Sequence, residues 1–346
     1  MNIYQNGSIL ADVDVLDEEF LLEDTQVREE QVKDLWFCLG PLEKGKNPLN
    51  CWIYGEPGTG KTAITRFVLN QLVSIIPVKM VYINCWEKNT FYGVLDRIIT
   101  ELRILGPEKP ATSQKLEILQ RYLRDNSLVV VLDDIDRPTP VERNAVIYNL
   151  CNLPRLGLIC ISKSSSTILD LDERIKSRLN ARRIEFPRYT HEELVNILER
   201  KAEKALVQGT WNRKVMERIA ELAAGDARIA VQALKDAAYY AQKEATNRIR
   251  ESHVLKGWND ARQMNSCHIL DKLTEHHRLL YDLIKERGKI LSNELWRAYL
   301  EKCREGGKQP IATRTYPEYV NELASMGLVR TRRAPVKGRV REISLI

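Results

Sequence analysis

No run of apolar residues in the chain approaches the length needed to cross a bilayer. The start, MNIYQNGSILADVDVLDEEF, is acidic and has neither the basic opening nor the apolar core of a secretory signal. Histidine is scarce, five in 346 residues, and none stands at zinc-ligand spacing, so His276 and His277 read as plain surface side chains. The seven cysteines (Cys38, Cys51, Cys85, Cys151, Cys160, Cys267, Cys303) are dispersed, odd in number and free of CxxC pairs. That pattern argues against a disulfide framework and for reduced thiols in a cytoplasm. Internal repeats and low-complexity tracts are also missing. What remains is a soluble globular chain without a membrane partner, long enough for two or three domains.

Excess positive charge is lacking over most of the length. The chain carries 53 Lys+Arg against 47 Asp+Glu, a net of +6. From Cys267 to the end there are 16 Lys+Arg and 10 Asp+Glu, leaving 37 of each sign in the rest. A basic module attached to a neutral body is an electrostatic footprint for nucleic acid, although on charge alone a merely solvated basic surface fits as well.

Residues 1–24 read as an acidic, weakly patterned arm. Val32, Leu35, Trp36 and Leu39 then recur at helical spacing, and Gly40 to Asn50 reads as a loop. Short apolar strands at "CWIYG", "VKMVYINC", "LVVVLDDID" and "LGLICIS" alternate with amphipathic helical stretches. This alternation predicts an α/β fold with a parallel sheet covered on both faces. Beyond Pro187 only helical patterns follow. One opens on "THEE", a capping box in which Glu193 can reach back to the cap amide, and another starts at Asp226. A break near 258–268 introduces the basic module, with helices expected near 269–287 and 292–305 and two short strands around "RAPVKG".

"GEPGTGKT", Gly55 to Thr62, matches the phosphate-loop pattern and sits between a strand and a helix, the context that pattern requires. The glycines let backbone N–H groups turn inward around phosphate oxygens, and the helix N-terminus adds partial positive charge. The nucleotide-binding residues are accordingly Gly55, Glu56, Pro57, Gly58, Thr59, Gly60, Lys61, Thr62 and Ala63. Lys61 reaches towards the β- and γ-phosphates and Thr62 towards magnesium. Asp133, 72 residues after Lys61, ends an apolar strand where a phosphate-loop protein places the carboxylate that holds magnesium through water. Without the loop, a buried strand with a solvated acidic end would be the better reading. Asp134 occupies the next position, where a glutamate normally orients the attacking water.

In this order the motifs resemble the archaeal origin-recognition and replication-initiator family of AAA+ ATPases, relatives of the eukaryotic origin recognition complex. "VREEQV" at 27–32 is similar to the family's N-terminal box, with Val27 in place of the usual leading histidine. "NPLNCWIYGEPGTGKT" and "VVVLDDID" resemble its phosphate-loop approach and Walker B strand. "ERIKSRL" at 173–179 resembles the box that carries an arginine finger, and "GDARIA" at 225–230 the sensor-2 turn. The resemblance implies an N-terminal arm (1–24), a RecA-like AAA+ nucleotide domain (25–187), a helical lid (188–266) and a winged-helix DNA-binding domain (267–346). It implies ATP or ADP with Mg2+ as cofactors, Arg228 as the sensor-2 arginine, and Arg174 as the finger acting on a neighbouring subunit, with Arg178 as the alternative. The N-cap character of Asp226 agrees, since it places Arg228 in a first helical turn. Two positions depart from the family. The catalytic glutamate is Asp134, one methylene shorter, and the sensor-1 position falls on Lys163. Both departures bear on turnover more than on binding, so slow hydrolysis at most is expected.

In a winged helix the third helix enters the major groove and the hairpin wing follows the backbone or minor groove. Thr315 with Glu318 sets the start of that helix, which puts Thr313, Arg314, Thr315 and Tyr316 at its N-terminus. "RTRRAPVKGRVR" supplies Arg330, Arg332, Arg333, Lys337, Arg339 and Arg341 without an acid among them. Mutual repulsion of these cations is relieved by a phosphate backbone. The implied function is ATP-regulated recognition of double-stranded origin DNA by a nucleoid-associated protein. The implied partners are the replicative helicase and other initiator paralogues. Residues 104–115 stand as a candidate for a helical insert that touches DNA in this family. The rival functions are a transcriptional regulator built on a nearly inactive AAA+ core, and a clamp-loader-like motor, which has no need of a terminal winged helix.

Overall fold

The computed structural model describes residues 9–17, 26–104, 111–271, 273–325, 328–333 and 341–345. The chain divides into two compact units, Met1–Trp258 and Asn259–Ile346.

In the first unit α1 (Glu29–Leu39) precedes β1 (Cys51–Tyr54), and α2 (Lys61–Ile75) leads to β2 (Lys79–Asn84). Then come α3 (Phe91–Glu101), α4 (Thr112–Tyr122), β3 (Leu128–Asp133), α5 (Pro140–Leu150) and β4 (Leu156–Ser162). The short α6 (Ser166–Leu169), α7 (Glu173–Leu179) and β5 (Arg182–Glu185) complete the layered part. The five strands form one parallel sheet in the order β2-β3-β4-β1-β5. Every residue from Leu128 to Leu132 is fully buried. Val130 and Leu132 pack on one face with Val94, Ile98 and Val146, whereas Val129 and Val131 pack on the other with Leu35, Val68 and Leu72. A strand covered on both faces has no position for a polar residue, which is why the sequence there reads as an unbroken apolar run.

Four helices follow: α8 (His191–Ala205), α9 (Arg213–Ala223), α10 (Ala227–Lys243) and α11 (Glu251–Asp271). The capping box at Thr190 forms as expected: Glu193 N–H donates to Thr190 Oγ1 at 3.3 Å, and Thr190 N–H donates to Glu193 Oε2 at 2.7 Å. The boundary between the two units, at 258/259, falls within the break expected near 258–268, but the backbone does not leave the helix there: α11 runs on to Asp271. Gly257, a residue that weakens a helix in isolation, marks a close crossing here: a Cβ on it would lie 2.7 Å from Ala233 O and Ala237 N on α10.

Residues 9–17 of the N-terminal arm pack against the helical part of the first unit. Ile9, Val15 and Leu16 are buried. Ala11 N–H donates to Ala205 O at 2.8 Å, Val207 N–H donates to Ile9 O at 2.9 Å, and Lys201 Nζ donates to Val15 O at 2.6 Å. Residues 9–17 therefore belong to the packing of α8.

The second unit contains α12 (Glu275–Arg287), β6 (Lys289–Leu291), α13 (Ser292–Glu305), α14 (Tyr316–Ser325), β7 (Val329–Arg333) and β8 (Arg341–Leu345). Its strands form an antiparallel sheet in the order β6-β8-β7. Leu280, Ile284, Leu295, Tyr299, Val320, Leu323 and Ile343 build its core. His276 and His277 are not plain surface residues. His277 is buried and stacks on Tyr319 with ring centroids 4.0 Å apart, and His276 Nδ1 lies 2.8 Å from Tyr299 Oη. Among the described residues the cysteines are free thiols, and no helix is long and apolar enough to cross a membrane.

Candidate functional site

The loop between β1 and α2 is enclosed on three sides, each against a glycine. A Cβ on Gly55 would lie 2.2 Å from Phe186 O, one on Gly58 1.9 Å from Asp226 Oδ1, and one on Gly60 2.3 Å from Tyr189 Oη. Gly58 and Gly60 also adopt left-handed φ values of 74° and 87°, where any side chain is strained. Asp226 caps α10 by accepting from Arg228 N–H at 2.9 Å and Ile229 N–H at 3.1 Å, and Ala227 N–H donates to Gly58 O at 3.0 Å. The start of α10 thus sits directly on the loop.

Arg28, in the "VREEQV" box, is buried and donates from Nη2 to Thr59 O at 3.2 Å and Pro187 O at 2.6 Å. Its guanidinium lies 4.0 Å from the Tyr189 ring centroid. Thr59 is buried and donates from Oγ1 to Glu56 O at 2.8 Å, while Glu56 and Pro57 are exposed. Glu56 accepts from Arg188 Nε at 2.6 Å. Ala63 is half-buried in the first turn of α2.

Lys61 Nζ donates to Gly55 O at 2.6 Å and Glu56 O at 2.7 Å. Burial pushes its amine down to about 8, against the attraction of Asp133, Asp134 and Asp136; the positive charge of Arg228 lowers it further. Arg228 is exposed, yet its field reaches Lys61. Thr62 Oγ1 donates to Asp133 Oδ2 at 2.8 Å, so the two residues expected at a metal are brought together. The Tyr82 hydroxyl donates to the same oxygen, and Asp134 N–H donates to Asp133 Oδ1 at 2.9 Å. Burial raises the Asp133 carboxyl, and the Tyr82 hydrogen bond works against that rise. Asp134 itself stands at φ 53°, in the left-handed region.

Lys163 and Arg137 flank Trp86, with Lys163 Nζ 5.9 Å and Arg137 Cζ 3.5 Å from the ring. On α7, Arg174 is exposed, whereas Arg178 lies 4.7 Å over the ring of Tyr148. The stretch 104–115 is only partly described. Its Lys115 is turned inward, paired with Asp96 and 3.5 Å from the Tyr92 ring centroid, and so presents no charge to a ligand.

In the second unit Thr313 and Arg314 are exposed ahead of α14, and Thr315 is half-buried. Tyr316 differs from expectation: it is buried, packs on Trp296 with centroids 4.9 Å apart, and donates its hydroxyl to Ser292 O at 2.8 Å. Arg330 and Arg332 are exposed two residues apart on β7, and Arg333 pairs through its backbone with Arg341. Lys337 and Arg339 lie outside the described residues.

Comparison with known proteins agrees with this arrangement. An AAA domain matches residues 45–169 and a Cdc6 AAA+ ATPase-type lid domain matches residues 195–259. ORC1-type DNA replication protein 9 of Halobacterium salinarum is 30% identical over 345 residues, covering 98% of this chain and 94% of the relative. The chain belongs to the ORC1-type DNA replication protein family. The ORC1-type DNA replication protein of Thermococcus kodakarensis is 29% identical over 367 residues, covering 97% of this chain and 88% of that protein. The structure of the Aeropyrum pernix ORC1 protein in complex with DNA superposes with a TM-score of 0.84 at 27% identity, over 98% of this chain and 94% of that one. The RuvB Holliday junction branch migration motor of Thermotoga maritima shares the AAA+ fold at a TM-score of 0.52.

Sequence reasoning missed three residues of this ORC1-type site. Tyr82 is hidden in the strand "VYINC", where a tyrosine is simply a good strand former. Arg28 was visible only as part of a box, without a task. Tyr189 lies in the segment joining sheet and helices, and only the left-handed Gly60 beneath it signals so close an approach.

Proposed function

We propose that this chain is an ATP-regulated, DNA-binding replication initiator that recognises origin duplex DNA and helps recruit the replicative helicase, with other initiator paralogues as partners. The observation that carries the reading is the seating of Asp226–Arg228 on the phosphate loop through the Ala227–Gly58 hydrogen bond. It sets a cation in the first turn of α10 beside the lysine that faces the phosphates. Family membership supports the same conclusion.

In this reading residues 55–63 wrap the phosphates with backbone N–H groups, and Lys61 exchanges its two carbonyl partners for phosphate oxygens. Thr62 and Asp133 offer only oxygen donors, which suits a hard cation such as magnesium. Among the described residues no cluster of three or more His, Cys, Asp or Glu forms a protein-only cage, so the other ligands would be water and phosphate. Bound there, magnesium would neutralise phosphate charge, with Thr62 and Asp133 holding it. Asp134, shorter than glutamate and fixed to Asp133 through its N–H, is poorly placed to orient water, so the protein works as a slow switch. Arg174, exposed and uncommitted to an aromatic ring, is the better finger candidate of the two arginines on α7.

For DNA, the order helix, strand, helix, helix, strand, strand in the second unit supports a winged helix. Arg314 lies at the front of its third helix, and Arg330 and Arg332 on the strand that leads to the wing. The second compact unit, Asn259–Ile346, takes in the whole of residues 267–346 assigned to the winged helix.

Two measurements test the proposal. Calorimetric titration of wild type and Lys61→Ala should show tight ATP and ADP binding that the substitution abolishes. Mapping of bound sites across the genome should show enrichment at a replication start. The short, left-handed Asp134 keeps one other reading open, a transcriptional regulator with a nearly inactive core, and enrichment at promoters would favour it instead.

A further inference from the structure

The metal-side carboxylate is held by a residue outside every nucleotide-binding motif. Asp133 receives three donors from three elements: Thr62 Oγ1 on α2, Asp134 N–H after β3, and the Tyr82 hydroxyl on β2. Tyr82 pairs in register with Val131, and Asn84 with Asp133, so the tyrosine lies two residues back on the neighbouring strand. Its ring packs with the cluster beneath α2, the face on which Thr62 stands. From α2, one turn beyond Thr62, Arg66 sets its guanidinium 4.6 Å from the Tyr82 ring centroid. A cation over the ring holds it in place and draws electron density from the phenol, which makes the hydroxyl a better donor. A phenylalanine would fill the same space, so packing does not require the hydroxyl.

We infer that Tyr82 is a positioning residue for the metal site, its phenol fixing Asp133 in the orientation that serves a divalent cation beside Thr62. The inference rests on the nucleotide-binding function proposed above and deepens it. The two donors on Oδ2 come from different elements, one from the helix and one from the sheet. With the phenol removed, only Thr62 and a neighbouring backbone N–H restrain it, and its rotamers spread. Outer partners of this kind set metal affinity by holding the inner ligand still.

The test uses the full-length protein and titrates Mg2+ against bound ADP, read by calorimetry or with a fluorescent ADP. In Tyr82→Phe the apparent Mg2+ affinity should fall about tenfold, while ADP affinity in EDTA stays unchanged. Arg66→Met leaves the phenol in place and should produce a smaller shift in the same direction. Asp133→Asn should lose the metal response by itself, and adding Tyr82→Phe should change nothing more, since both act through one carboxylate. An unchanged Mg2+ curve in Tyr82→Phe with a lowered melting temperature would overturn the inference, leaving a buried hydroxyl that merely found a partner. An undiminished effect on the Asp133→Asn background would overturn it as well. Failure of wild type to bind ADP, or indifference to Lys61→Ala, would instead overturn the nucleotide site and this inference with it.

Discussion

The carboxylate of Asp226 occupies the space in which a β-carbon on Gly58 would stand, 1.9 Å from Oδ1, and the next residue's N–H closes on the Gly58 carbonyl at 3.0 Å. One glycine therefore joins the phosphate loop to the helix that carries Arg228. Gly58→Ala adds a left-handed strain and a clash at once, expected to cost about 1–3 kcal/mol. Because the clash pushes α10 from the loop, nucleotide should dissociate at least roughly tenfold faster, about 1.4 kcal/mol. A melting curve and a fluorescent-nucleotide release experiment check the two effects. Release at the wild-type rate would show that Arg228 does not depend on this contact.

Lys201 gives a pH dependence with a defined sign. Its amine is buried and donates to Val15 O, and burial pushes it down to about 8, partly offset by Asp17. Between pH 8 and its ordinary value of 10.5 the unfolded chain holds the proton that the folded chain has released. Stability should therefore rise with pH through that window, by at most about 1.4 kcal/mol per pH unit for one proton. Below pH 8 both states are charged and the burial cost stays in full. Lys201→Met removes this response. Urea melts at several pH values should show wild type gaining on the variant above pH 8, and a constant difference would reject the assignment.

Asp134→Glu restores the longer carboxylate but places it on a backbone at φ 53°. Aspartate and asparagine tolerate that region better than most residues, so the change should cost up to about 1 kcal/mol of stability. Single-turnover hydrolysis should nevertheless rise, because misplacement by about 1 Å can cost a hundredfold in rate. A variant slower than wild type would show that Asp134 does not occupy the water-orienting position.

For DNA, Arg330→Ala with Arg332→Ala in the full-length protein should weaken duplex binding across all sequences and flatten the salt slope by about two units. Tyr316→Phe should behave differently. It loses the bond to Ser292 O, expected to cost about 1 kcal/mol of stability, and leaves DNA affinity unchanged. A salt slope unaltered by the paired arginine changes would move the DNA surface elsewhere on the chain.

Much of the site was legible because its residues recur at fixed chain spacing. Lys61, Thr62 and the strand ending at Asp133 follow from backbone requirements of phosphate binding, and the Asp226 cap from the first turn of a helix. Tyr82 and Tyr189 were not legible, since their roles depend on strand register and on a linker crossing the loop, neither of which leaves a local signature. The polar stretch 258–268 contains weak helix formers such as Asn259 and Asn265, which local propensity reads as a break. As far as Ala261 the helix is held by Val254, Gly257 and Ala261, which pack inward, a tertiary effect stronger than propensity. Tyr316 starts its helix as expected, but a tyrosine there can face outward or inward, and only Trp296 and Ser292 decide which.

The position of β1 in the sheet carries a consequence for how the protein is made. Its neighbours are β4 and β5, more than a hundred residues later in the chain, with Cys51 beside Ile159 and Arg182. On the ribosome the strand bearing the phosphate loop emerges early and waits, one apolar edge after the other, for partners not yet synthesised. The contact at Gly58 comes later still, with residues 226 and 227. Pairing at such separation is slow, and exposed edges invite aggregation in the interval. The nascent chain thus has no finished nucleotide pocket until about two thirds of it has been translated, and nucleotide can stabilise the folded product without guiding its early assembly.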